Sequence, residues 1–158
     1  MTDLRGQWRD VGAALFADEV GIEYGIYGAY RLKSAYQPIF APQEGHLAPV
    51  AVEAVAQPQL RGRPARLGAF FESVAPGDRP FVERLLLRLH LGNYRNLDVA
   101  GLGLFFTYGH MAGEDPQRAL AEIRLMARHR DELELDAADM LVCEIGRASC
   151  RERVLRLV

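Results

Sequence analysis

The amino-acid sequence predicts an α/β fold with a parallel sheet. Along the chain, the apolar segments follow the order strand, strand, helix, strand, helix, strand. Repeated strand and helix units of this kind favour parallel pairing. Three predicted strands end on a polar residue, namely Glu53, Thr107 and Glu144. In β/α barrels the carboxyl ends of the strands carry the functional groups, so these three ends are expected to converge on one site.

The length and composition indicate a cytoplasmic globular protein. The 158 residues suffice for one cored domain, and the net charge is −2. We expect no membrane association, because no apolar run approaches the roughly 18 residues that cross a bilayer. The first residues lack the apolar centre of a signal peptide. Cys143 and Cys150 fit neither a disulfide framework nor a zinc site.

The N-terminal residues, 1–34, are predicted to be a helical segment. Leu4, Trp8, Val11 and Leu15 recur at helical spacing and predict an amphipathic helix over residues 3–18. Residues 20–33 interleave three glycines with three tyrosines. Because glycine disfavours helix, this stretch is expected to be irregular or a short helix leading into the first strand.

Residues 36–55 are predicted to form two short strands that are joined by a turn. The first strand covers residues 36–40, breakers follow at Pro42, Gly45 and Pro49, and the second covers residues 50–52 and leads to Glu53. Burying a carboxylate among Ala and Val without a partner is costly. Glu53 is therefore expected either at a strand end or in a site that neutralises its charge.

A loop with three arginines is predicted after the second strand. Arg61, Arg63 and Arg66 lie in a stretch rich in Pro and Gly. Their guanidinium groups suit a phosphate, and they equally suit a solvated surface. Both interpretations are open from the sequence.

The rest of the chain supplies the remaining helices and strands. Pro80 fits the first turn of a strong helix and Gly92 its C-terminal end, and His90 on that helix is expected to be a core or surface residue. The other predicted segments are a short helix over 65–74, a linker over 93–99, a strand over 102–106, a helix from Asp115, an acidic connection over 131–139 and a strand over 140–143.

Two short motifs resemble the opening of the EAL family, the bacterial enzymes that hydrolyse cyclic di-GMP. That family begins with a strand carrying Tyr-Gln-Pro-Ile and returns, after a turn, on a strand ending in Glu-Ala-Leu. The matching residues are Tyr36-Gln37-Pro38-Ile39 and Glu53-Ala54-Val55. Later, residues 104–109 resemble a family strand ending in Leu-Phe-x-Asn-x-Ser, and residues 141–145 resemble Leu-Val-Leu-Glu-Ile.

The resemblance implies the first four strands of a (β/α) barrel of the TIM type, here with an N-terminal helical extension. It also implies cyclic di-GMP as ligand, Gln37 as a substrate-binding residue, and Mg²⁺ or Mn²⁺ held by Glu53, Thr107 and Glu144. Two carboxylates with a neutral oxygen suit these ions. No catalytic residue can be assigned, since the family's later motifs have no counterpart in the sequence.

Three departures weaken the resemblance to an active enzyme. Val55 replaces the motif's Leu, Gln57 stands where the family usually has an Arg, and Thr107 replaces the metal-binding Asn. A hydroxyl is a poorer ligand for a hard cation than an amide carbonyl. The function is therefore either an impaired EAL phosphodiesterase or a degenerate EAL domain that binds nucleotide or a protein partner without hydrolysis. An ordinary α/β domain with chance motif matches is the third alternative.

The last residues, 146–158, resemble the translation of a sequencing adapter, although a genuine basic helix end is the alternative. Four arginines and one glutamate give this tail a charge of +3, which leaves −5 for the rest. An acidic chain argues against nucleic-acid polymers as partners, while a homodimer or a protein partner is compatible with it. The EAL-like domain is assigned to residues 35–145. With half a barrel, we expect the chain to fold poorly or aggregate, and to be inactive.

Overall fold

The computed structural model describes residues 11–97, 102–108, 140–144 and 154–156. Their strands are β1 (Leu15–Ala17), β2 (Glu23–Tyr27), β3 (Tyr30–Gln43), β4 (His46–Leu60), β5 (Arg63–Pro64), β6 (Gly103–Tyr108), β7 (Met140–Glu144) and β8 (Val154–Arg156). The described residues also contain the α-helices α1 (Leu67–Ser73) and α2 (Arg79–Arg95), with a 3-10 turn at Pro76–Asp78 between them. The predicted mixed α/β class is confirmed at this level.

The strand order is β1-β2-β3-β4-β6-β7-β8, and β5 pairs with β4. Pairing is parallel between β4 and β6 and between β6 and β7. It is antiparallel for β1 with β2, β2 with β3, β4 with β5, and β7 with β8. The predicted parallel pairing is therefore confirmed for β4, β6 and β7, the three strands that carry the predicted metal ligands, whereas β1 and β2 were not predicted as strands.

The chain divides into two compact units. The first comprises residues 1–35 and 56–96, and the second comprises residues 36–55 and 97–158. Strands β3 and β4 each contribute residues to both units.

In the first unit, helix α2 packs on strand β2. Gly25 allows the close approach, because a Cβ at this position would lie 3.2 Å from the side chain of Leu85. Leu85 is fully buried, as are Leu32 and Phe70. The ring of Phe70 makes an edge contact with the ring of Tyr30, with 5.0 Å between centroids. This core of β2, β3, α1 and α2 is held by apolar burial.

The N-terminal prediction of helix over residues 3–18 is wrong at its C-terminal end, where Leu15–Ala17 is strand β1. β1 gains backbone hydrogen bonds from β2, with Phe16 opposite Tyr24, and this pairing overrides the helical spacing. Residues 3–10 lie outside the described residues. Residues 23–33 are also not irregular, because β2 and β3 form a hairpin around Gly28, whose φ of 55° suits a tight turn.

The two strands predicted around residues 36–55 are confirmed, but they are much longer than predicted. Glu44 and Gly45 form the connecting turn, with φ of 48° and 86°. Both values are in the left-handed region, as a two-residue hairpin turn requires. Pro42 and Pro49 lie inside β3 and β4 rather than ending them. A strand tolerates proline where its missing N–H has no partner to lose.

The predicted helices over residues 65–74 and from Pro80 are confirmed as α1 and α2. The prediction that α2 ends at Gly92 is wrong, since the helix continues to Arg95 and residues 93–95 are not linker. Gly92 is instead covered by Glu23 and Arg88, whose side chains would meet a Cβ there. The absence of a side chain at this position serves packing rather than helix termination.

The predicted strands over residues 102–106 and 140–143 are confirmed as β6 and β7. The helix predicted from Asp115 and the acidic connection over 131–139 lie outside the described residues, as does His110. No helix in the described ranges is long and apolar enough to span a bilayer.

Candidate functional site

Glu53 lies inside strand β4, between the buried residues Val52 and Ala54, and is itself half-buried. The expectation that β4 ends near Glu53 is wrong, because the strand runs on to Leu60. The parallel ladder with β6, however, covers only residues 51–54 of β4. Glu53 is thus placed near the carboxyl end of the parallel pairing.

The strand register relates Glu53 to the other two predicted metal ligands. Glu53 is opposite Phe105, which is in turn opposite Leu141. Thr107 is two positions beyond Phe105, and alternation along a strand assigns residues at even separation to the same face. Glu53 and Thr107 therefore occupy positions of one face on adjacent strands.

Glu144 falls differently in the register. It is paired with Tyr108, three positions beyond Leu141. An odd separation assigns the residue to the other face of the sheet. The register thus assigns Glu53 and Thr107 to one face of the sheet and Glu144 to the other. The assignment of Glu144 to this site stays a prediction that the register does not support.

The donor set at this site suits a hard cation only in part. A carboxylate and a hydroxyl are oxygen donors of the kind that Mg²⁺ and Mn²⁺ accept. Among the residues that the structure describes, no group of three or more His, Cys, Asp or Glu residues is placed to hold a metal ion. Gln37, the predicted substrate-binding residue, is exposed on β3. Of the three predicted metal ligands, Glu53 is the one to replace in a test of metal binding, because it is the carboxylate on the same face as Thr107.

A second group of polar side chains connects α2 to the strands of the first unit. Asn93 accepts a hydrogen bond from the Glu23 N–H and donates one to the Glu23 carbonyl, both at 2.8 Å. Arg88 forms an ion pair with Glu23 at 3.4 Å. Asn93 was predicted to lie in a linker, so sequence reasoning missed this role. Its hydrogen bonds are to a residue 70 positions away, and no local sequence pattern indicates them.

His90 belongs to the same helix and is buried, as one of the two alternatives for it predicted. Its Nδ1 lies 2.7 Å from Ser34 Oγ, and the two share a hydrogen bond. Burial lowers the pKa of His90 to about 4, because the low-polarity surroundings disfavour the charged imidazolium. The ring is therefore neutral at physiological pH and its role is structural.

The three arginines after β4 are arranged on a hairpin rather than a long loop. Arg61 and Gly62 form a two-residue turn with φ of 51° and 78°, and Leu60 pairs with Arg63. The backbone is further fixed by a hydrogen bond from the Ala65 N–H to the Pro58 carbonyl, at 2.9 Å. Arg61, Arg63 and Arg66 are all exposed. We call residues 58–66 the arginine hairpin.

Comparisons of this chain with protein-family models, with curated proteins and with solved structures found no match. The class that the structure itself defines is a mixed α/β protein with a parallel β4-β6-β7 ladder.

Proposed function

We propose that the chain carries the amino-terminal part of an EAL-type cyclic di-GMP phosphodiesterase domain with impaired or absent catalysis. The observation that carries the proposal is the placement of the two opening motifs. Tyr36-Gln37-Pro38-Ile39 lies on β3 and Glu53-Ala54 on β4, with the Glu44–Gly45 turn between the two strands. This strand, turn and returning strand is the arrangement that the resemblance implies.

The parallel ladder adds a second line of support. β6, which carries the segment resembling the family's Leu-Phe-x-Asn-x-Ser strand, is the direct parallel neighbour of β4. Thr107 then occupies the same face as Glu53, two positions further along. The first half of a β/α barrel requires such parallel neighbours.

In this proposal Glu53 and Thr107 hold Mg²⁺ or Mn²⁺. When bound, such an ion neutralises phosphodiester charge and lowers the pKa of a coordinated water. Glu53 supplies an anionic oxygen from a half-buried position, and the hydroxyl of Thr107 supplies a weaker neutral donor than an amide. Gln57, without a positive charge, replaces the family's arginine. The weaker donor at Thr107 lowers the affinity for the metal ion and so impairs hydrolysis. The loss of a cation at Gln57 weakens contact with the phosphate groups of the ligand.

The competing function is a degenerate EAL domain that binds nucleotide or a protein partner and never hydrolyses. It is favoured by the same three departures, Val55, Gln57 and Thr107. The two functions share a ligand and differ in turnover.

Calorimetric titration of the 158-residue chain with cyclic di-GMP, in the presence and absence of Mn²⁺, tests the proposal. We expect binding that requires the metal ion and that Glu53→Gln removes, since the amide has no negative charge to hold a divalent cation. Glu72→Gln is the matched control, because Glu72 is exposed on α1. If neither metal condition gives binding, or if both variants behave alike, the proposal is wrong.

Turnover in the same samples separates the two functions. Hydrolysis of cyclic di-GMP with Mn²⁺, even slow, identifies an impaired enzyme. Retained binding with no hydrolysis product identifies the non-hydrolysing regulator.

A further inference from the structure

The arginine hairpin has a local charge opposite to that of the chain as a whole. Between Glu53 and Glu72 the sequence holds Arg61, Arg63 and Arg66 and no acidic residue, whereas the complete chain has a net charge of −2. All three arginines are exposed. In the described part of the chain none of their guanidinium groups has a hydrogen-bond or ion-pair partner. Within the residues that the structure describes, the positive charge of the hairpin is thus not neutralised by a neighbouring side chain.

The hairpin also holds its arginines on a fixed backbone. Three contacts restrict the main chain of the hairpin. They are the Arg61–Gly62 turn, the pairing of Leu60 with Arg63 and the hydrogen bond from the Ala65 N–H to the Pro58 carbonyl. Arg61 adopts a φ of 51°, as a two-residue hairpin turn requires, and Glu44 adopts nearly the same φ, 48°, in the other hairpin turn. The hairpin therefore presents its arginines from a backbone whose conformation is set by the turn and by the strand pairing.

We infer that the arginine hairpin is a docking surface for an acidic polypeptide segment of a protein partner. Arginine forks bind carboxylates in two-point fashion. Leu60, which is 38% exposed beside Arg61, offers apolar contact to the aliphatic parts of such a segment. The surface acts by charge complementarity, and its binding does not depend on the proposed site at Glu53.

Nucleic acid is disfavoured as the occupant by the composition of the hairpin. Residues 54–66 contain no aromatic side chain on which a base could stack. Three cations on an acidic chain also fall short of the extended positive surface that a phosphate backbone requires. An acidic peptide needs neither feature.

Fluorescence anisotropy of a labelled oligoglutamate peptide, titrated with the full chain at low salt, tests the inference. We expect saturable binding that weakens as salt is added. Replacing Arg61, Arg63 and Arg66 together by Gln is expected to weaken binding about tenfold, since each exposed charge pair contributes little by itself. Replacing them by Lys is expected to give an intermediate loss, because charge is kept and the planar fork is lost.

The control variant is Arg79→Gln with Arg95→Gln, which removes two exposed arginines from α2. It should bind oligoglutamate as the parent does. Equal weakening by the control, or no weakening by the hairpin variant, would overturn the inference. So would tighter binding of a single-stranded oligonucleotide, or of phosphatidylserine vesicles, than of oligoglutamate. Circular dichroism of each variant establishes that a loss of binding is not a loss of folding.

Discussion

At the residue scale, His90 shows how burial decides the role of an ionisable side chain. A histidine among leucines on a helix could lie in the core or on the surface, and the structure buries it against Ser34. The hydrogen bond with Ser34 satisfies Nδ1, and burial of the ring decides whether it carries a charge. Burial holds the pKa at about 4, well below the ordinary 6.5.

This shift predicts a loss of stability in mild acid. The unfolded chain protonates His90 near its ordinary pKa of 6.5, whereas the folded chain does so only near 4. The contribution of neutral His90 is therefore complete above pH 6.5 and is lost as the pH falls towards 4, by about 3 kcal/mol in total. Urea unfolding between pH 7 and pH 4 measures it.

His90→Gln should flatten this pH dependence, because the amide does not titrate in the range. His46→Gln is the control. His46 is exposed on β4, so its replacement should not change how the free energy of unfolding varies with pH. A parent and a His90→Gln variant with the same slope would show that another group is responsible.

At the scale of the element, strand β3 illustrates how proline protects an open edge. Tyr27 and Tyr30 flank the two-residue turn of the first hairpin and therefore form a hydrogen-bonded pair. Because hydrogen-bonded and non-hydrogen-bonded pairs alternate, the even-numbered residues of β3 direct their N–H and C=O groups towards the β2 side. β2 is only five residues long. From Gln37 onward this edge has no paired strand in the described part of the chain. Pro38 and Pro42 are even-numbered and remove two of its N–H donors.

Replacing both prolines by threonine should therefore promote self-association. Threonine favours strand and restores two edge donors to pairing with another copy. Size-exclusion chromatography with light scattering is expected to show larger species than the parent at equal concentration. Pro76→Ala, in the 3-10 turn, restores an N–H away from any strand edge and should behave as the parent does. An unchanged size distribution in the double variant would refute the protective role.

The elements also show what the sequence could and could not predict. Segments with a strong local pattern, such as the Pro80 helix and the apolar run of β6, were predicted correctly. The strand β1 was not, because its hydrogen bonds come from β2 and leave no trace in the spacing of Leu15 with Val11. Gly92 was misread as a helix end for the same reason: the side chains that cover it belong to a distant strand and to the preceding helical turn.

The candidate site was predictable to a similar extent. The position of Glu53 beside a parallel strand followed from the apolar segments around it, and β6 is that strand. The face of the sheet on which Glu144 lies could not be predicted. A shift of one residue in the pairing of β6 with β7 would move Glu144 to the other face, and this pairing is visible only in the structure.

At the scale of the whole molecule, the two compact units are linked by shared strands. β3 and β4 each pass from one unit to the other without a break. Because each of these strands is continuous across the boundary, we expect fraying of its part in one unit to reach its part in the other.

We therefore expect a single unfolding transition, and a core substitution in the first unit that destabilises both. Leu85 is fully buried, and Leu85→Ala should cost about 2–5 kcal/mol. Hydrogen exchange is the measurement: protection should fall together in residues 51–54 and 56–60 of β4. Protection lost only from the second of these segments would show that the units unfold independently.

The hydrogen bond from Asn93 to the Glu23 carbonyl depends on one nitrogen atom, Nδ2 of the side chain. The Asn93 amide offers Glu23 a donor and an acceptor in the places where a neighbouring strand would offer them. Hydrolysis of that amide to a carboxylate would exchange the donor for an acceptor and set it against the carbonyl oxygen of Glu23. Chemical ageing at this single position would thus remove a polar contact between α2 and β2, while the apolar contacts of the core continue to hold the helix on the sheet.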